Sequence, residues 1–235
     1  MKPILFNTEM VRAILDGRKT VTRRLVKPQP GFFYDVGGRI PDPDNPERIA
    51  FLAMDPDDHE EIRVPPFQPG DVLYVRETWG YNRDSWLYKA DYREDEWPLF
   101  IWHPSIHMPK KTARIFLRVK DVRVERLQDI TVDQVAAEGI DALKPSNDAE
   151  ELCNYCLLPD ESKGIHCYGG SVHMCEGSHC GEAMDSWEEE YICEFAGLWN
   201  STIKPADIPV YGWDANPWVW VIEFEKISRE EAMKC

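Results

Sequence analysis

The sequence predicts an α+β protein in which a small closed β-barrel is flanked by a few helices. Several segments alternate apolar and polar residues with the period of a strand, whereas few segments show helical spacing. Two of the strand candidates are far apart in sequence and apolar enough to pair. Strands that pair across a long sequence separation favour a barrel over separate hairpins.

A short helix and an extended basic segment begin the chain. Asn7 or Thr8 is a good N-cap for a helix over residues 9–15, and Gly17 provides the C-terminal stop. Residues 19–26 alternate β-branched and basic side chains. This pattern predicts an extended segment that carries charge on one face.

The middle of the chain predicts a long loop followed by strands. Residues 28–66 are rich in Pro, Gly and Asp, so we expect an irregular surface excursion. A tight turn at residues 67–71 leads into the strand at 72–79, and a second strand is expected at 86–90. The alternating run at 113–127 predicts one bent strand or a hairpin pair.

Two helices and a strand complete the expected elements. Thr131 is a suitable cap for a short helix over residues 132–139, with Glu138 in its last turn. Apolar residues at helical spacing predict a second helix within 182–203. The run at 218–224 is strongly β-forming.

The expected organisation is one barrel domain with an insertion. The domain comprises residues 1–140 and 196–235, with 28–66 as its long loop, and an acidic segment rich in Cys and His occupies 141–195. The apolar content, 43% of 235 residues, is enough for one sizeable core with a small satellite module.

Charge is distributed unevenly along the chain. The formal net charge is −15, which argues against a large phosphate-binding surface. Residues 1–27 nevertheless contain seven Lys or Arg against two acidic residues, whereas 138–194 contain fourteen acidic residues against two lysines. A local basic pocket of this kind suits a nucleoside, a short single strand or one exposed RNA loop better than long duplex DNA.

Compartment and membrane association follow from the apolar pattern. No apolar run approaches the ~18 residues that span a bilayer, and the N-terminus lacks the features of a signal peptide. We therefore expect a cytoplasmic protein without a membrane partner. Its seven cysteines are then expected to be reduced, which favours metal binding over disulfides.

The basic stretch from Gly17 to Arg24 reads Gly-x-Lys-x-x-Thr-x-Arg. Alone, this pattern is equally consistent with a solvated basic strand. Together with the Pro-Gly-Asp turn at 69–71, the helix that carries Glu138 and the last strand, it resembles the ASCH domain family, a PUA-like fold associated with RNA. The resemblance is to the larger, phage- and prophage-type members and extends over nearly the whole chain.

The resemblance also implies a chemistry. The family often has Glu where this chain has Thr22, and Thr is found there in the family's small N4-acetylcytidine amidohydrolases. Those enzymes are thought to use a Lys, a Thr and a Glu, which correspond here to Lys19, Thr22 and, through the match at Ala136-Ala137-Glu138, Glu138. A solvated glutamate at a helix end is the alternative for Glu138.

Amide hydrolysis by these residues is chemically reasonable. Lys19 can act as a base only if burial or cationic neighbours lower its pKa, and Thr22 would be the nucleophile or orient a water. Glu138 would carry the proton to the leaving amine. Because Lys19 and Thr22 are three residues apart, they converge only if the chain turns after Gly17.

Six further side chains are candidates for substrate contact. Two are the arginines beside Thr22, two are adjacent charged residues on a strand, and two are rings able to stack on a base. They are Arg23, Arg24, Arg76, Glu77, Trp79 and His107. For the rings, ordinary packing or surface exposure is the alternative.

Six of the seven cysteines lie between residues 153 and 193. A C-x2-C pair followed by a C-x4-C pair fits a tetrahedral structural Zn²⁺ site. The predicted ligands are Cys153, Cys156, Cys175 and Cys180, and the possible substitutes are His166, Cys167, His173 and His179. Iron–sulfur ligation and a loop of free thiols are the alternatives.

Three functions are compatible with these observations. The first is an RNA- or nucleoside-binding protein whose pocket surrounds Lys19, Thr22 and Arg24. The second is an amidohydrolase that deacetylates N4-acetylcytidine or a similar modified nucleoside. The third is a zinc-stabilised interaction module whose acidic insertion recruits a basic partner.

Overall fold

A computed structural model describes residues 1–33, 39–54, 57, 59–93, 101–140, 165–168, 171–174 and 187–234. The chain divides into two compact units. The first consists of Met1–Glu125, Ala137–Gly139 and Trp218–Cys235, and the second of Arg126–Ala136 and Ile140–Pro217. The predicted insertion, 141–195, falls within the span of the second unit.

Strands provide most of the regular structure. They are β1 (Lys2–Leu5), β2 (Val21–Leu25), β3 (Phe32–Phe33), β4 (Arg39–Asp42), β5 (Asn45–Met54), β6 (Glu60–Arg63), β7 (Val72–Arg76), β8 (Trp79–Tyr81), β9 (Trp86–Tyr88), β10 (Phe116–Arg126), β11 (Ile165–Tyr168), β12 (Ser171–Met174) and β13 (Trp218–Ile227). The helices are α1 (Thr8–Leu15), α2 (Val132–Ala137), α3 (Trp187–Thr202), α4 (Ile208–Tyr211) and α5 (Arg229–Lys234). Short 3-10 turns occupy Lys89–Asp91, Ser105–His107, Lys110–Thr112, Leu127–Asp129, Pro205–Asp207 and Trp213–Ala215.

A five-stranded sheet with the order β1-β7-β10-β13-β2 forms the centre of the first unit. β1 runs parallel to β7, whereas β10 pairs antiparallel with β7 and β13 antiparallel with β2. The predicted α+β class is thus confirmed. Within the described residues the hydrogen-bonded order is an open path from β1 to β2, and closure into a barrel stays a prediction.

The core of the first unit lies against this sheet. Alternate residues of β10 and β13, together with apolar residues of β1, β7 and α1, are buried in one cluster. β13 is buried on both faces, because Val219 and Val221 are as inaccessible as the core residue Ile222. The strand predicted at 218–224 is confirmed, and the alternating run at 113–127 contains one long strand, β10.

The prediction of an irregular loop at 28–66 is wrong, because four strands lie there. β5 pairs with β3, β4 and β6 in a second sheet. The Pro- and Asp-rich composition belongs to the tight turn after β4, where the Asp42 side chain accepts from the amide of Asp44 at 3.0 Å. The apolar run that follows buries Ala50, Phe51 and Ala53. Averaging composition over the whole segment hid this run.

Helix α3 organises the second unit. Tyr191, Phe195 and Trp199 are its buried side chains among the described residues. The Tyr191 hydroxyl donates to the carbonyl of Ile140 at 2.8 Å, and Trp199 Nε1 donates to that of Tyr211 at 2.8 Å. The predicted helix is confirmed from residue 187 onward. No helix in the described part of the chain has the length and apolarity needed to cross a membrane.

Candidate functional site

Helix α1 ends in a glycine turn that positions Lys19. Gly17 has φ +79°, a left-handed conformation that glycine adopts without a steric penalty. Its amide donates to Ile14 O at 3.2 Å, and the amides of Arg18 and Lys19 donate to Ala13 O at 2.9 and 3.0 Å. These bonds form a Schellman-type helix end. The chain therefore turns between Gly17 and the start of β2, as convergence of Lys19 with Thr22 requires.

Residues 18–20 contact the peptide carbonyls of residues 137–139 in reverse order. Each of the three bonds is 2.8 Å long. The pairs are Arg18 Nη1 with Gly139 O, Lys19 Nζ with Glu138 O, and Thr20 N with Ala137 O. A buried carbonyl without a donor costs about 1–3 kcal/mol, so this set of bonds stabilises the 137–139 segment against residues 17–20. We call residues 17–20 the basic loop.

Gly139 permits this close approach. It has φ +91°, and a Cβ built there would lie 2.7 Å from the Cβ of Ala13 and 2.9 Å from that of Lys19. Both distances are shorter than carbon atoms tolerate. A side chain at this position would push the 137–139 segment, and with it Glu138, away from Lys19.

A buried ion cluster joins the loop to Glu138. Lys19 Nζ lies 2.6 Å from Glu138 Oε2, with side chains 0% and 4% exposed. Arg23 Nη1 lies 3.2 Å from Glu138 Oε1, and Arg23 Nη2 lies 3.4 Å from Glu125 Oε2. Arg123 pairs in turn with Glu125. The predicted Lys19 and Glu138 are therefore direct partners in the structure.

Burial lowers the pKa of the Lys19 amine from its ordinary value. The contact with Glu138 opposes this shift, whereas the charges of Arg24 and Arg23 add to it. Desolvation is the larger effect, so the net direction is downward. An amine of this kind releases its proton more readily than a solvent-exposed lysine, which a general base requires.

Thr22 and Arg24 lie on the same face of β2. In the pairing of β2 with β13, Thr22 is opposite Ile222 and Arg24 is opposite Trp220. Cross-strand neighbours share a face, so both side chains lie on the side of the core cluster. Arg23, between them, lies on the other face. Two of the predicted site residues thus share one surface of the sheet.

The polar atoms of Thr22 and Arg24 differ from those of their neighbours. Thr22 Oγ1 is buried and has no hydrogen-bond partner among the described residues. Arg24 is half-buried and donates to the carbonyls of Arg23 and Leu5 at 3.1 and 3.0 Å. Within the described part of the chain Arg24 forms no ion pair. These two groups therefore retain hydrogen-bonding or charge-pairing capacity within the described residues.

Phe6 is a site residue that the sequence did not indicate. Its ring centroid lies 5.6 Å from Lys19 Nζ and 5.3 Å from the guanidinium carbon of Arg24. These cation–π contacts place both cations around one buried ring. A single Phe in an apolar N-terminal strand region has no pattern that would single it out.

A cavity of about 360 Å³ adjoins the basic loop. Its lining combines apolar residues of α1, β2 and β13 with charged residues that include Lys19, Lys120 and Glu223. This volume is within the range of small-molecule sites. The loop that carries Lys19 is thereby bordered by solvent-accessible space.

Glu77 and Arg76 have separate partners. Glu77 is buried in a two-bond ion pair with Arg114, both bonds at 2.9 Å, and burial raises the pKa of its carboxyl against the effect of Arg114. Arg76 Nη1 donates to Ile106 O at 3.2 Å, and its Nε is buried without a partner among the described residues. Arg114, which no sequence pattern singled out, makes Glu77 a charge-paired residue.

The two predicted stacking rings do not form one site. Trp79 packs against His103, with ring centroids 4.7 Å apart, and against Trp86 at 5.4 Å. His107 is exposed in the turn Ser105–His107. Trp79 therefore contacts the rings of His103 and Trp86 and is not shown in contact with His107, the other ring predicted from the sequence.

The predicted zinc ligands Cys153, Cys156, Cys175 and Cys180 lie outside the described residues. The same is true of His179 and of the side chains of His166, Cys167 and His173. Among the described residues, no group of three or more His, Cys, Asp or Glu side chains is arranged to hold a metal ion. The zinc site stays a prediction.

Comparisons of the chain with protein-family models, curated proteins and solved structures find no match. The function of the candidate site is therefore inferred from the geometry and chemistry of its residues.

Proposed function

We propose that the protein binds a nucleoside or an exposed RNA base at the site formed by Lys19, Thr22 and Arg24. The observation that carries this proposal is the pair of side chains on one face of β2. The Thr22 hydroxyl has no hydrogen-bond partner among the described residues, and the Arg24 guanidinium is not paired there with a carboxylate. Arginine is suited to base edges and phosphates, because its planar donors form paired hydrogen bonds.

The buried cluster supports this function by engaging the other cations of the basic stretch. Glu138 pairs with both Lys19 and Arg23 and neutralises their charges in part. Arg24 is left as the half-buried cation of the group, over the ring of Phe6. A phosphate or another anionic acceptor would pair its charge with the Arg24 guanidinium, which the two backbone carbonyls do not.

Equilibrium binding of cytidine, of its N4-acetyl derivative and of a short single-stranded RNA tests the proposal. We expect Arg24→Gln to weaken binding about tenfold or more, because hydrogen bonds to a charged group contribute about 1.5–3 kcal/mol. Arg229→Gln, a change at an exposed arginine of α5, is the matched control and should bind as the wild type does. Equal affinity of both variants would refute the site.

We also propose the predicted PUA-like ASCH fold for the first unit. Three parts of the motif support it: the basic stretch lies at the start of β2, the Pro-Gly-Asp turn precedes β7, and Glu138 lies against the basic stretch.

The predicted zinc site in residues 153–180 accompanies this fold as an insertion. Elemental analysis of the purified protein tests it, with one zinc per chain expected.

A second candidate function is hydrolysis of the amide of N4-acetylcytidine. The observation that favours it is the 2.6 Å contact of Lys19 Nζ with Glu138, next to a strand that carries an unpartnered Thr22 hydroxyl. In this reaction Thr22 Oγ1 adds to the acetyl carbon as its proton passes to Lys19, and the C–N bond breaks as the leaving amine takes a proton. Water then hydrolyses the acetyl ester, so that cytidine and acetate are the products.

Replacement of Thr22 by Val tests this chemistry. We expect Thr22→Val to abolish release of cytidine while it raises the free energy of unfolding by about 1 kcal/mol, because a buried hydroxyl without a partner is removed. Thr20→Val, at the exposed threonine of the same loop, should keep full activity. Turnover by Thr22→Val at the wild-type rate would exclude Thr22 as the nucleophile.

The pH dependence provides a second measurement. Burial lowers the pKa of Lys19 below its ordinary value of 10.5, and a base acts in its unprotonated form. The kcat/KM should therefore rise with pH and reach its plateau below 10.5. A rate that falls over this range would contradict Lys19 as the base.

A further inference from the structure

The hairpin of β8 and β9 presents a face of aromatic side chains. Trp79 is opposite Tyr88 and Tyr81 is opposite Trp86, so these four share one face, whereas Leu87 on the other face is buried. Tyr81 and Trp86 have ring centroids 4.7 Å apart and are 55% and 36% exposed. Large rings left this accessible in contact with each other are unusual for a solvated hairpin and typical of a binding surface.

A third segment extends this face. The amide of His103 donates to Trp79 O at 2.7 Å and the amide of Trp79 donates to His103 O at 3.2 Å. The ring contacts then form one series from Tyr81 through Trp86 and Trp79 to His103. The hairpin turn is held by Asn82 Oδ1, which accepts from the amide and hydroxyl of Ser85, each at 3.0 Å. Hydrogen bonds of the hairpin and of its turn therefore position the backbone that carries the rings.

Cations border the rings. Lys111 Nζ lies 5.7 Å from the ring centroid of Trp86, and Lys110 Nζ lies 5.8 Å from that of Tyr74. In sequence, residues 101–112 contain two lysines and two histidines and no acidic residue, in a chain of net charge −15. The acidic residues 94–96 fall outside the described part. We define Trp79, Tyr81, Trp86, Lys110 and Lys111 as the aromatic-basic patch.

Hydrogen bonds and strand pairing link the site around Arg24 to the segment that leads into the patch. Arg24 Nη2 donates to Leu5 O, and Leu5 is the registered neighbour of Arg76 in the parallel pairing of β1 with β7. Arg76 in turn donates to Ile106 O in the segment that leads to Lys110. This series of contacts connects Arg24 to the segment that carries Lys110. In the same region, Arg76 Nε and Trp79 Nε1 are buried donors without a partner among the described residues.

We propose that the aromatic-basic patch binds a single-stranded nucleic acid, with bases stacked on Trp86 and Tyr81 and phosphates beside Lys110 and Lys111. Stacking on aromatic rings combined with lysines along the backbone is how proteins hold single strands without reading their sequence. A protein segment as occupant would have to be acidic to pair with the lysines that flank the rings, whereas a single-stranded nucleic acid carries both the bases for the rings and the phosphates for the lysines. The inference rests on the proposed function. It extends the ligand from a single nucleoside to an oligonucleotide, of which one nucleotide reaches Arg24.

Fluorescence anisotropy of a labelled twelve-nucleotide oligouridylate with the full chain tests the patch. The double variant Tyr81→Ala, Trp86→Ala should weaken binding by about tenfold or more, because each stacked base contributes about 1–3 kcal/mol. It should bind free cytidine as the wild type does. A duplex of the same length, whose bases are already stacked, should bind more weakly than the single strand. Oligothymidylate of equal length distinguishes RNA from DNA as the source of the strand.

Charge is tested separately at the exposed lysines. Lys110→Gln with Lys111→Gln should weaken the oligonucleotide complex, whereas Lys204→Gln with Lys234→Gln, two exposed lysines elsewhere, should not. Unchanged oligonucleotide affinity in both patch variants would overturn the patch, whatever the affinity for cytidine. Unchanged cytidine binding in Arg24→Gln, together with weakened oligonucleotide binding in the patch variants, would support the patch and count against the Arg24 site, so the two proposals fail separately.

Discussion

Glu138 holds Lys19 and Arg23 where water is nearly excluded, so it bears more on the site than a surface carboxylate would. A buried ion pair adds little compared with an apolar pair of the same shape, but loss of one partner leaves an uncompensated charge. Lys19 therefore depends on this one carboxylate for compensation of its buried charge.

Replacement of Glu138 by Gln should lower the free energy of unfolding by about 3–5 kcal/mol, measured by urea denaturation. Because burial lowers the pKa of Lys19, the folded chain binds this proton less tightly than the unfolded chain does. As pH rises toward the ordinary pKa of lysine, Lys19 becomes neutral in the folded state, and the destabilisation caused by Glu138→Gln should therefore decrease. Lys19→Met combined with Glu138→Leu should be more stable than Glu138→Gln alone.

A control for this measurement is Asp16→Asn. Asp16 pairs with Arg18 at 3.2 Å, but its side chain is 58% exposed. Exposed pairs contribute about 1 kcal/mol or less, so this variant should be close to the wild type. A loss for Glu138→Gln no larger than that for Asp16→Asn would contradict the buried pair.

At this scale the sequence predicted Lys19 and Glu138 through a motif, and the structure places them in contact. It did not predict Phe6 or Arg114, because each acts through a partner that is remote in sequence. Arg114 lies 37 residues from Glu77, and no local periodicity connects them.

Among the elements, the segment 137–139 lies at the end of α2 and is held against the basic loop by hydrogen bonds. Gly139 adopts φ +91° and lies against α1 and the basic loop. The helix end at Gly17 and the N-cap at Asn7, whose side chain accepts from the amide of Met10 at 2.8 Å, match the sequence predictions. Helix termini are encoded by a few adjacent residues, which makes them readable without tertiary information.

We expect Gly139→Ala to destabilise the protein by about 2–5 kcal/mol. The left-handed conformation costs an alanine about 1–2 kcal/mol, and overlap with Ala13 and Lys19 adds about 1–3 kcal/mol. Thermal unfolding measures the change. Gly17→Ala, which meets no atom within 4 Å, should show the conformational cost alone. Equal losses in the two variants would refute the close packing at Gly139.

The sheet elements were predicted less completely. Periodicity indicated β7, β10 and β13, whose buried residues alternate or continue over many positions. It did not reveal β4 and β5, because the Pro and Asp of their connecting turn dominated the local composition. The sequence also did not predict which strands pair with each other, since strand register depends on contacts between residues far apart in sequence.

For the whole molecule, the net charge of −15 opposes binding of any polyanion at long range. Only local cations can offset it, and the two proposed sites supply three candidates for phosphate contact: Arg24, Lys110 and Lys111. Affinity for a single strand should therefore depend on salt as expected for a few contacts.

The logarithm of the oligonucleotide association constant should fall with the logarithm of salt concentration with a slope of about 2, since each phosphate contact on a single strand contributes about 0.7. Titrations between low and moderate NaCl concentrations measure it. Lys110→Gln with Lys111→Gln should reduce the slope by about 1.4, whereas the variant at Lys204 and Lys234 should leave it unchanged. A slope of zero would rule out phosphate contacts by these residues.

The contact between the basic loop and residues 137–139 links the site to folding of the entire first unit. Lys19 and Glu138 are separated by 119 residues, and Arg23 and Glu125 by 102. Contacts between residues so far apart in sequence form slowly during folding, because the entropy of closing the long loop is lost before the contact stabilises the fold. Local opening of the 137–139 connection would dissolve the site while the sheet persists, and the amide of Thr20, bonded to Ala137, would report that opening by hydrogen exchange.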